Sequence, residues 1–199
     1  MNPAPLPVVK LPEKILRAKA RDILVADIMK PRVQELLTRM KVTLKQTPDG
    51  VGLAAPQVGE SLRIFIVSDE TEEIDRVERE REKDKALRQK PDEDPDKKSY
   101  EVREWHYYVF INPVVKNISR KKIDGAEGCL SVPKKFGIVP RHEKITVSAY
   151  DEHGKKFTRG ASRFFARVLQ HELDHLNGTL FVDKVSEWLD IENRHQIKK

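Results

Sequence analysis

Five consecutive residues, His171-Glu172-Leu173-Asp174-His175, can together bind a metal ion and move a proton. Two histidines four residues apart lie on the same face of a helix, about one turn apart, so both imidazoles can reach one ion. Glu172 projects from a neighbouring face, close enough to accept a proton from water at that ion. The alternative is that two surface or core histidines have this spacing by chance. We therefore interpret the pentapeptide as a metal site that needs further ligands.

Two histidines leave a catalytic metal site one protein ligand short, and the best candidate for that ligand is Cys129. A thiolate binds zinc and ferrous iron strongly, and the adjacent Gly128 lets the backbone approach closely. The same cysteine is alternatively a small buried hydrophobic residue. If Cys129, His171 and His175 bind one ion, its fourth position is left for water, which is the arrangement of a hydrolytic site.

A third candidate element is a run of small residues, GVGLAAPQVG, at positions 50–59. Small residues at this density allow the backbone of an extended peptide to lie close to the protein. Gln57 carries an amide NH₂, which is a neutral donor suited to a developing oxyanion. Taken alone, the run is equally typical of a tight turn or of close packing.

Apolar periodicity predicts the elements that must position these residues. The metal-binding helix is expected to begin after Ser162 as its N-cap, because apolar residues follow at helical spacing: Phe164, Phe165, Val168 and Leu169. A second helix is predicted over 31–47, with Pro31 near its start and Pro48-Asp49-Gly50 as the turn that ends it. Runs of β-forming residues predict three strands, at Leu62–Val67, Tyr107–Val115 and Ile145–Tyr150.

Residues 70–104 differ from the rest of the chain in charge. They include 14 acidic and 10 basic residues among 35, a net −4, which leaves +10 for the remainder of a chain of net charge +6. Such a segment cannot bury enough apolar surface to fold alone, and it is predicted to be a solvated insertion between strands. Alternating charges favour a helix from about Thr71 to Gln89, with Ile74 and Val77 contacting the body. A partner-binding arm is the alternative.

Length and composition bound the remaining possibilities. A chain of 199 residues most simply forms one domain, here spanning 1–199 with residues 186–199 as a C-terminal helix or basic tail. The single cysteine excludes an intramolecular disulfide and suits a reducing compartment. No secretory signal is visible, and no apolar run approaches the ~18 residues that span a membrane. We therefore expect a bacterial-type cytoplasmic protein; a mature organellar form is not excluded.

Three blocks of sequence together resemble the motifs of peptide deformylases: GVGLAAPQVG at 50–59, EGCLS at 127–131 and QHELDH at 170–175. The resemblance covers about residues 8–69 and 105–185. It implies an α+β fold, with mixed or antiparallel sheets around a central metal-binding helix and with an N-terminal helix. It also implies a metal-dependent hydrolase that removes the N-formyl group from the initiator methionine of new polypeptides and releases formate.

The same resemblance implies roles for individual residues. One divalent ion per chain is expected, Fe²⁺ in vivo with Zn²⁺, Ni²⁺ or Co²⁺ as alternatives, and its implied ligands are Cys129, His171 and His175. Glu172 is the implied general base and acid, while Gln57 and the backbone N–H of Leu130 are the implied oxyanion donors.

Substrate contacts follow from the resemblance in the same way. Gly52 and the stretch from Gly128 to Ser131 are expected to pair with the peptide backbone. The residues expected around the methionine side chain are Val51, Phe164 and Val168, for which ordinary core packing is the alternative. Arg141 is expected to reach the peptide beyond the methionine, with a solvated surface arginine as the alternative.

Two other functions agree with part of the sequence. A zinc endopeptidase of the HExxHxxGxxH type needs a third histidine at position 181, where this chain has Phe181. An endopeptidase with Glu187 or Glu192 as its third ligand would leave the motifs at 50–59 and 127–131 unexplained. A ribosome- or RNA-binding module with a structural metal fits the basic charge but not a full set of catalytic residues. The expected partners are N-formyl-Met nascent peptides, with ribosome contact through the basic C-terminal stretch 194–199. Neither a membrane nor a specific nucleic-acid sequence is expected as a partner.

Overall fold

The computed structural model describes residues 3–47, 50–87 and 106–190, with the backbone alone for 83–87. Its α-helices are α1 (Pro31–Lys45), α2 (Glu70–Leu87) and α3 (Arg163–Leu176). The strands are β1 (Gly52–Ala54), β2 (Ile64–Ser68), β3 (Tyr107–Ile118), β4 (Lys122–Ile123), β5 (Ala126–Cys129), β6 (Val132–Ile138), β7 (Arg141–His142), β8 (Lys144–Tyr150), β9 (Lys156–Ser162) and β10 (Glu187–Leu189). None of the helices in this part of the chain combines the length and the hydropathy that crossing a bilayer requires.

The strands form antiparallel sheets of three sizes. The largest has five strands in the order β1-β2-β3-β8-β9, a second has the order β10-β6-β5, and β4 pairs with β7. Every pairing between these named strands is antiparallel. The predicted α+β fold, with antiparallel sheets and a central helix, is confirmed.

Strand β2 shows why the large sheet is the middle layer of the fold. All five of its residues are buried, because its two faces pack against different helices. Phe65 and Val67 lie in the apolar cluster that contains α3, whereas Ile64 and Ile66 lie in the cluster that contains α1. Alternate residues of a strand point to opposite faces, so a strand covered on both sides is apolar throughout.

Helix α1 follows its predicted pattern. It begins at Pro31, whose missing N–H is not needed in the first turn, and it ends at Lys45, two residues before the predicted end. The apolar residues of its stripe are buried against the sheet: Val33, Leu36, Leu37, Met40 and Leu44. Two residues of the predicted terminating turn, at positions 48 and 49, lie outside the described residues.

Helix α3 is buried on most of its surface, as expected of a helix inside the fold rather than on it. Its buried apolar side chains, Phe165, Leu169 and Leu173, belong to the cluster shared with the large sheet. Ser162 does precede the helix, as predicted, but its side chain makes no capping hydrogen bond. The N–H groups of the second and third residues of α3 instead donate to the carboxylate of Asp75 on α2.

Helix α2 agrees with the helix predicted from the charged segment as far as Leu87, and the last two positions of that prediction lie outside the described residues. Its first turns are not a solvated insertion, however, because the side chains of Thr71 and Asp75 are buried and α2 packs on α3. Ile74 and Val77 are partly buried. These turns therefore belong to the body of the fold, while residues 88–104 of the charged segment lie outside the described residues.

The hairpin formed by β2 and β3 is closed at its base. The two strands pair from Ile64 opposite Ile111 to Ser68 opposite Tyr107. Just beyond, the Asp69 N–H donates to the carbonyl of His106 at 2.9 Å, and the His106 N–H donates to Asp69 Oδ1 at 3.0 Å. Helix α2 and the residues up to 105 therefore lie between two strands whose ends are already joined.

Candidate metal centre and active site

The structure brings together the three side chains that the sequence analysis selected as metal ligands. Cys129 is the last residue of β5, and His171 and His175 lie one turn apart on α3. Their ligand atoms all lie within 4.8 Å of one another, and Cys129 Sγ is 3.3 Å from His175 Nε2. A tetrahedral ion with normal metal–ligand bonds holds such atoms roughly 3.4–3.7 Å apart. Among the described residues, no other group of histidine, cysteine and acidic side chains has this proximity.

The ring of His171 is oriented by a buried carboxylate. Its Nδ1 lies 2.9 Å from Glu127 Oε2, which leaves Nε2 for the metal site. Glu127 also accepts two hydrogen bonds from Arg141, at 2.8 and 2.9 Å, and one from Arg167 at 2.9 Å. Burial acts to raise the pKa of Glu127, but hydrogen bonds from Arg141 and His171 outweigh it and lower the pKa to about 2. The carboxylate is therefore charged and fixed.

The donor set fits a divalent cation. One thiolate sulfur and two imidazole nitrogens suit zinc and ferrous iron. Burial lowers the pKa of His175 well below its usual value, so this imidazole is neutral, as a metal ligand must be. At His171 burial acts in the same direction, but hydrogen bonds with Cys129 and Glu127 raise its pKa to about 10. The surroundings of His171 thus stabilise a positive charge at the place where a cation would bind.

Glu172 places a carboxyl group beside these ligands. Its side chain is 3% exposed, and its Oε2 has no hydrogen-bond partner among the described residues. Burial, the largest cause, raises the pKa of Glu172 to about 7. A carboxyl group with a pKa near the working pH can both accept and return a proton.

Gln57 presents its amide NH₂ to the same site. Its Oε1 accepts a hydrogen bond from the Ala54 N–H at 2.8 Å, and Nε2 then lies 3.5 Å from Cys129 Sγ and 3.4 Å from Ser131 Oγ. A backbone N–H can only donate, so the amide oxygen must face Ala54 and the nitrogen must face the metal ligands. Leu130 follows Cys129 directly, in the turn between β5 and β6.

Two glycines predicted to contact a peptide have no room for a side chain. A Cβ on Gly52 would lie 2.4 Å from Glu172 Oε1, and a Cβ on Gly128 would lie 2.5 Å from Phe136 Cε1. Gly52 is on β1 and Gly128 is on β5, which are edge strands of their sheets among the described strands. An edge strand offers backbone groups with which an extended peptide can pair.

The three residues expected around a methionine side chain share one apolar cluster. Val168 is buried in the cluster formed by α3 and the large sheet, and Val51 and Phe164 pack against it while partly exposed. Gly52 lies beside Val168, whose Cγ1 would be 3.1 Å from an added Cβ. Because Val51 and Phe164 are only partly buried, part of this apolar cluster is accessible.

The structure contradicts the expectation that Arg141 reaches a bound peptide. Its side chain is 3% exposed, and besides the two bonds to Glu127 it donates to Asp174 Oδ2 at 2.5 Å. The guanidinium donates its hydrogen bonds to carboxylates inside the protein. Arg141 is therefore neither a contact for a bound peptide nor a solvated surface arginine. Asp174, inside the metal-binding pentapeptide, in turn pairs with Lys184 at 2.7 Å.

Replacing Arg141 by methionine should therefore lower the free energy of unfolding by about 3–5 kcal/mol, the usual effect of leaving a buried charge without its partner. Urea denaturation of the purified protein measures this difference. The matched control is Arg32→Met, because Arg32 is largely exposed and its pair with Glu60, at 3.4 Å, is worth at most about 1 kcal/mol. Equal stability losses in the two variants would contradict the structural role of Arg141.

The role of Glu127 was missed in the sequence analysis, although a signal was present. Glu127 precedes Cys129 by two residues, and residues two apart on a regular strand point to the same face, although the pairing of β5 with β6 shifts register between Gly128 and Cys129. A carboxylate on the face of a metal-binding cysteine is a natural partner for a metal-binding imidazole. The spacing within EGCLS thus indicates Glu127 as well as Cys129.

The described residues do not supply the third ligand of an endopeptidase site. Glu187 is exposed on β10, opposite Ile138 of β6, and it is not part of the metal-binding group. Phe181 stands where a third histidine would be needed, and its ring lies 6.2 Å from that of His171 in a stacked arrangement. Glu192 lies outside the described residues.

Comparison with protein families gives a match over most of the chain. The family model described as polypeptide deformylase matches residues 5–190. Peptide deformylase 1A, chloroplastic/mitochondrial, of Arabidopsis thaliana is 38% identical over 178 residues, 89% of this chain and 60% of that protein. Peptide deformylase 2 of Nostoc sp. is 34% identical over 96% of this chain and 91% of its own length. The chain spans about three fifths of the Arabidopsis relative and of a tomato relative.

Solved structures agree with this match. A Met-Ala-Ser-bound class I type b peptide deformylase from Acinetobacter baumannii has 32% sequence identity and a TM-score of 0.71, over 92% of this chain and 99% of that one. The peptide deformylase of Thermotoga maritima has 27% identity and a TM-score of 0.69, over 92% and 98% of the two chains. The fold is therefore shared along nearly the whole length of these chains.

Proposed function

Because the chain belongs to the polypeptide deformylase family, we propose that it hydrolyses the N-formyl group of the initiator methionine on newly made polypeptides and releases formate. The observation that carries this proposal is the meeting of Cys129 with His171 and His175 beside the buried carboxyl group of Glu172. A family match over residues 5–190 supports the same reaction.

One divalent ion per chain is the proposed cofactor, held by Cys129, His171 and His175. Fe²⁺ is the expected ion in vivo, and Zn²⁺, Ni²⁺ and Co²⁺ are the alternatives, since this donor set suits all of them. When bound, the ion supplies Lewis acidity that lowers the pKa of water at the site from about 16 towards about 7.

Glu172 moves the proton in the proposed reaction. Its Oε2, which has no partner among the described residues, accepts a proton as the water oxygen attacks the formyl carbon. The same carboxyl group then donates this proton to the departing amine as the C–N bond breaks, so that formate and a free N-terminus are the products. In the absence of the ion, burial raises the pKa of Glu172 to about 7, which favours acceptance of the proton.

Gln57 stabilises the charge that develops on the formyl oxygen. Its NH₂ is held in place by the hydrogen bond between Oε1 and the Ala54 N–H. We propose the backbone N–H of Leu130 as a second donor. One donor of this kind typically lowers the barrier by about 2.7–4 kcal/mol.

The edge strands β1 and β5 are proposed to bind the peptide backbone, through Gly52 and through Gly128 to Ser131. The methionine side chain would then lie against the apolar surface of Val51, Phe164 and Val168. The related Acinetobacter protein, solved with Met-Ala-Ser bound, supports this type of ligand.

A methyl group added at Gly52 should lower the rate of formate release by roughly 100-fold, the usual effect of moving a catalytic group by about 1 Å. The reason is steric, since the new Cβ would lie 2.4 Å from Glu172 Oε1. The measurement is kcat of Gly52→Ala with its metal content. Gly160→Ala is the matched control, because a Cβ there has no neighbour within 4 Å. A normal kcat in Gly52→Ala would contradict the placement of Glu172.

The function itself is tested with two substrates. The purified, metal-loaded chain is assayed for formate release from formyl-Met-Ala and for cleavage of an internally labelled peptide with a blocked N-terminus. Release of formate without internal cleavage supports a deformylase. The opposite result would establish an endopeptidase and overturn the proposal.

The proposed partners are N-formyl-Met nascent peptides and, through the basic stretch 194–199, the ribosome that produces them. That stretch lies outside the described residues. A bacterial-type cytoplasm is the proposed compartment. An organellar location is the alternative, since the relatives include both bacterial and chloroplast or mitochondrial proteins.

A further inference from the structure

The N-terminus of the metal-binding helix is capped by a residue from another helix. Asp75, in the second turn of α2, is 4% exposed. Its Oδ1 accepts a hydrogen bond from the Phe164 N–H at 2.9 Å, and its Oδ2 accepts one from the Phe165 N–H at 3.1 Å. The first N–H groups of a helix have no partner within it, and a carboxylate also interacts favourably with the positive end of the helix dipole.

One ion pair attaches α2 to the start of α3, and a second attaches it to β9, the strand that precedes α3. The Glu82 carboxylate accepts hydrogen bonds from the Arg163 guanidinium at 3.0 and 2.7 Å. Glu72 accepts one from Arg159 and one from the Tyr108 hydroxyl, both at 2.6 Å. Helix α2 is therefore joined to β9, to β3 and to the start of α3.

The backbone at the start of α3 needs this support. Arg163 has a φ of +52°, in the left-handed region that is unfavourable for a residue with a side chain. Such a conformation persists only where its surroundings hold it. Here the Arg163 N–H donates to the carbonyl of Glu143 at 2.9 Å, and the next two N–H groups donate to Asp75.

The first turn of α3 carries an apolar side chain, Phe164, that packs on the cluster containing Val168, and Val168 lies beside Gly52. Phe164 is the first residue that Asp75 holds, and Val168 lies one turn further along the same face of the helix. The metal-binding histidines begin only at His171, two turns from the cap. Loss of the Asp75 cap should therefore disturb the position of Phe164 more than the position of the metal ligands.

We propose that Asp75 is a positioning residue that fixes the first turn of α3 and so determines how well the enzyme binds a methionine side chain. This inference rests on the proposed deformylase function. The acidic segment thus acts in substrate selection, although none of its residues needs to touch the substrate.

The test compares two substrates in the metal-loaded enzyme. In Asp75→Ala, we expect the ratio of kcat/KM for formyl-Met-Ala to kcat/KM for formyl-Ala-Ala to fall about tenfold, mainly through KM for the methionine substrate. Metal content should be unchanged. A variant that is merely less stable loses both activities equally, so the ratio separates positioning from general damage.

Hydrogen exchange and a conservative variant complete the experiment. The amides of Phe164 and Phe165 should exchange at least tenfold faster in Asp75→Ala. Asp75→Asn should protect only one of the two amides and should restore the substrate ratio only in part, because asparagine offers one acceptor oxygen where aspartate offers two. If Asp75→Ala does not fold, the same two measurements are made on Asp75→Asn. The control is Glu80→Ala, an exposed residue of α2 that pairs with Arg76 of the same helix.

Two results would overturn the inference: unchanged exchange at both amides, or faster exchange with an unchanged substrate ratio. Absence of formate release from the wild-type enzyme would contradict the proposed function instead. Exchange at the two amides would then still decide whether Asp75 holds the start of α3.

Discussion

Glu172→Gln should lower formate release from formyl-Met-Ala by about two to four orders of magnitude, the contribution of a general acid–base group. Glutamine fills the same buried space, but its amide can neither accept a proton from water nor return one to the amine. Because Glu172 is not among the grouped metal ligands, the variant should keep its metal. The measurements are kcat at saturating substrate and metal content by elemental analysis.

The control for this variant is Glu187→Gln, the same chemical change at an exposed residue of β10, which should leave kcat unaltered. A metal-loaded Glu172→Gln protein that retains more than about a tenth of the wild-type rate would remove Glu172 from its assigned role, since even the smallest typical effect exceeds that.

Cys129→Ala should weaken metal binding by a factor of about 10²–10³. Four-ligand zinc sites bind with about 10–16 kcal/mol, so one ligand accounts for roughly 3–4 kcal/mol. Competition between the protein and a zinc chelator measures the change directly, and Zn²⁺ avoids the oxidation that complicates iron. Two imidazoles remain in the variant, so weak binding should persist.

A second measurement uses the fact that the chain contains a single cysteine. A thiol reagent can therefore report only on Cys129. In the wild-type protein the thiol should react after the metal has been chelated and should be protected when Zn²⁺ is returned. Equal reactivity in the two states, or full zinc occupancy in Cys129→Ala, would show that the sulfur is not a ligand.

Periodicity was sufficient for the elements that pack against the core. Helix α1 and strand β2 were predicted because burial on a helix or strand face selects apolar residues at regular spacing. The end of β3 was predicted wrongly, at Val115, whereas the strand continues to Ile118. The side chains of Val114 and Val115 are exposed, so the apolar pattern does not mark a buried face there. The shortest strands, such as β4 and β7, have too few residues to show any period.

Charged residues that act across long sequence separations were harder to predict. The partners of Arg141 are 14 and 33 residues away, and nothing local distinguishes a buried arginine from a solvated one. Asp75, which caps α3, lies 89 residues before Phe164, whose N–H it accepts. Capping rules consider only positions next to the helix, such as Ser162. The metal ligands were predictable because their spacing and residue types reflect coordination chemistry itself.

The closed base of the β2–β3 hairpin makes the sheet insensitive to the length of the chain that connects the two strands. Because Asp69 and His106 already join the strand ends, the length of chain between them has little effect on the sheet. Closing a loop twice as long costs only about 0.6 kcal/mol. We therefore expect changes of chain length after Leu87 to leave the pairing of β2 with β3 intact, and that position is remote in sequence from every proposed metal ligand.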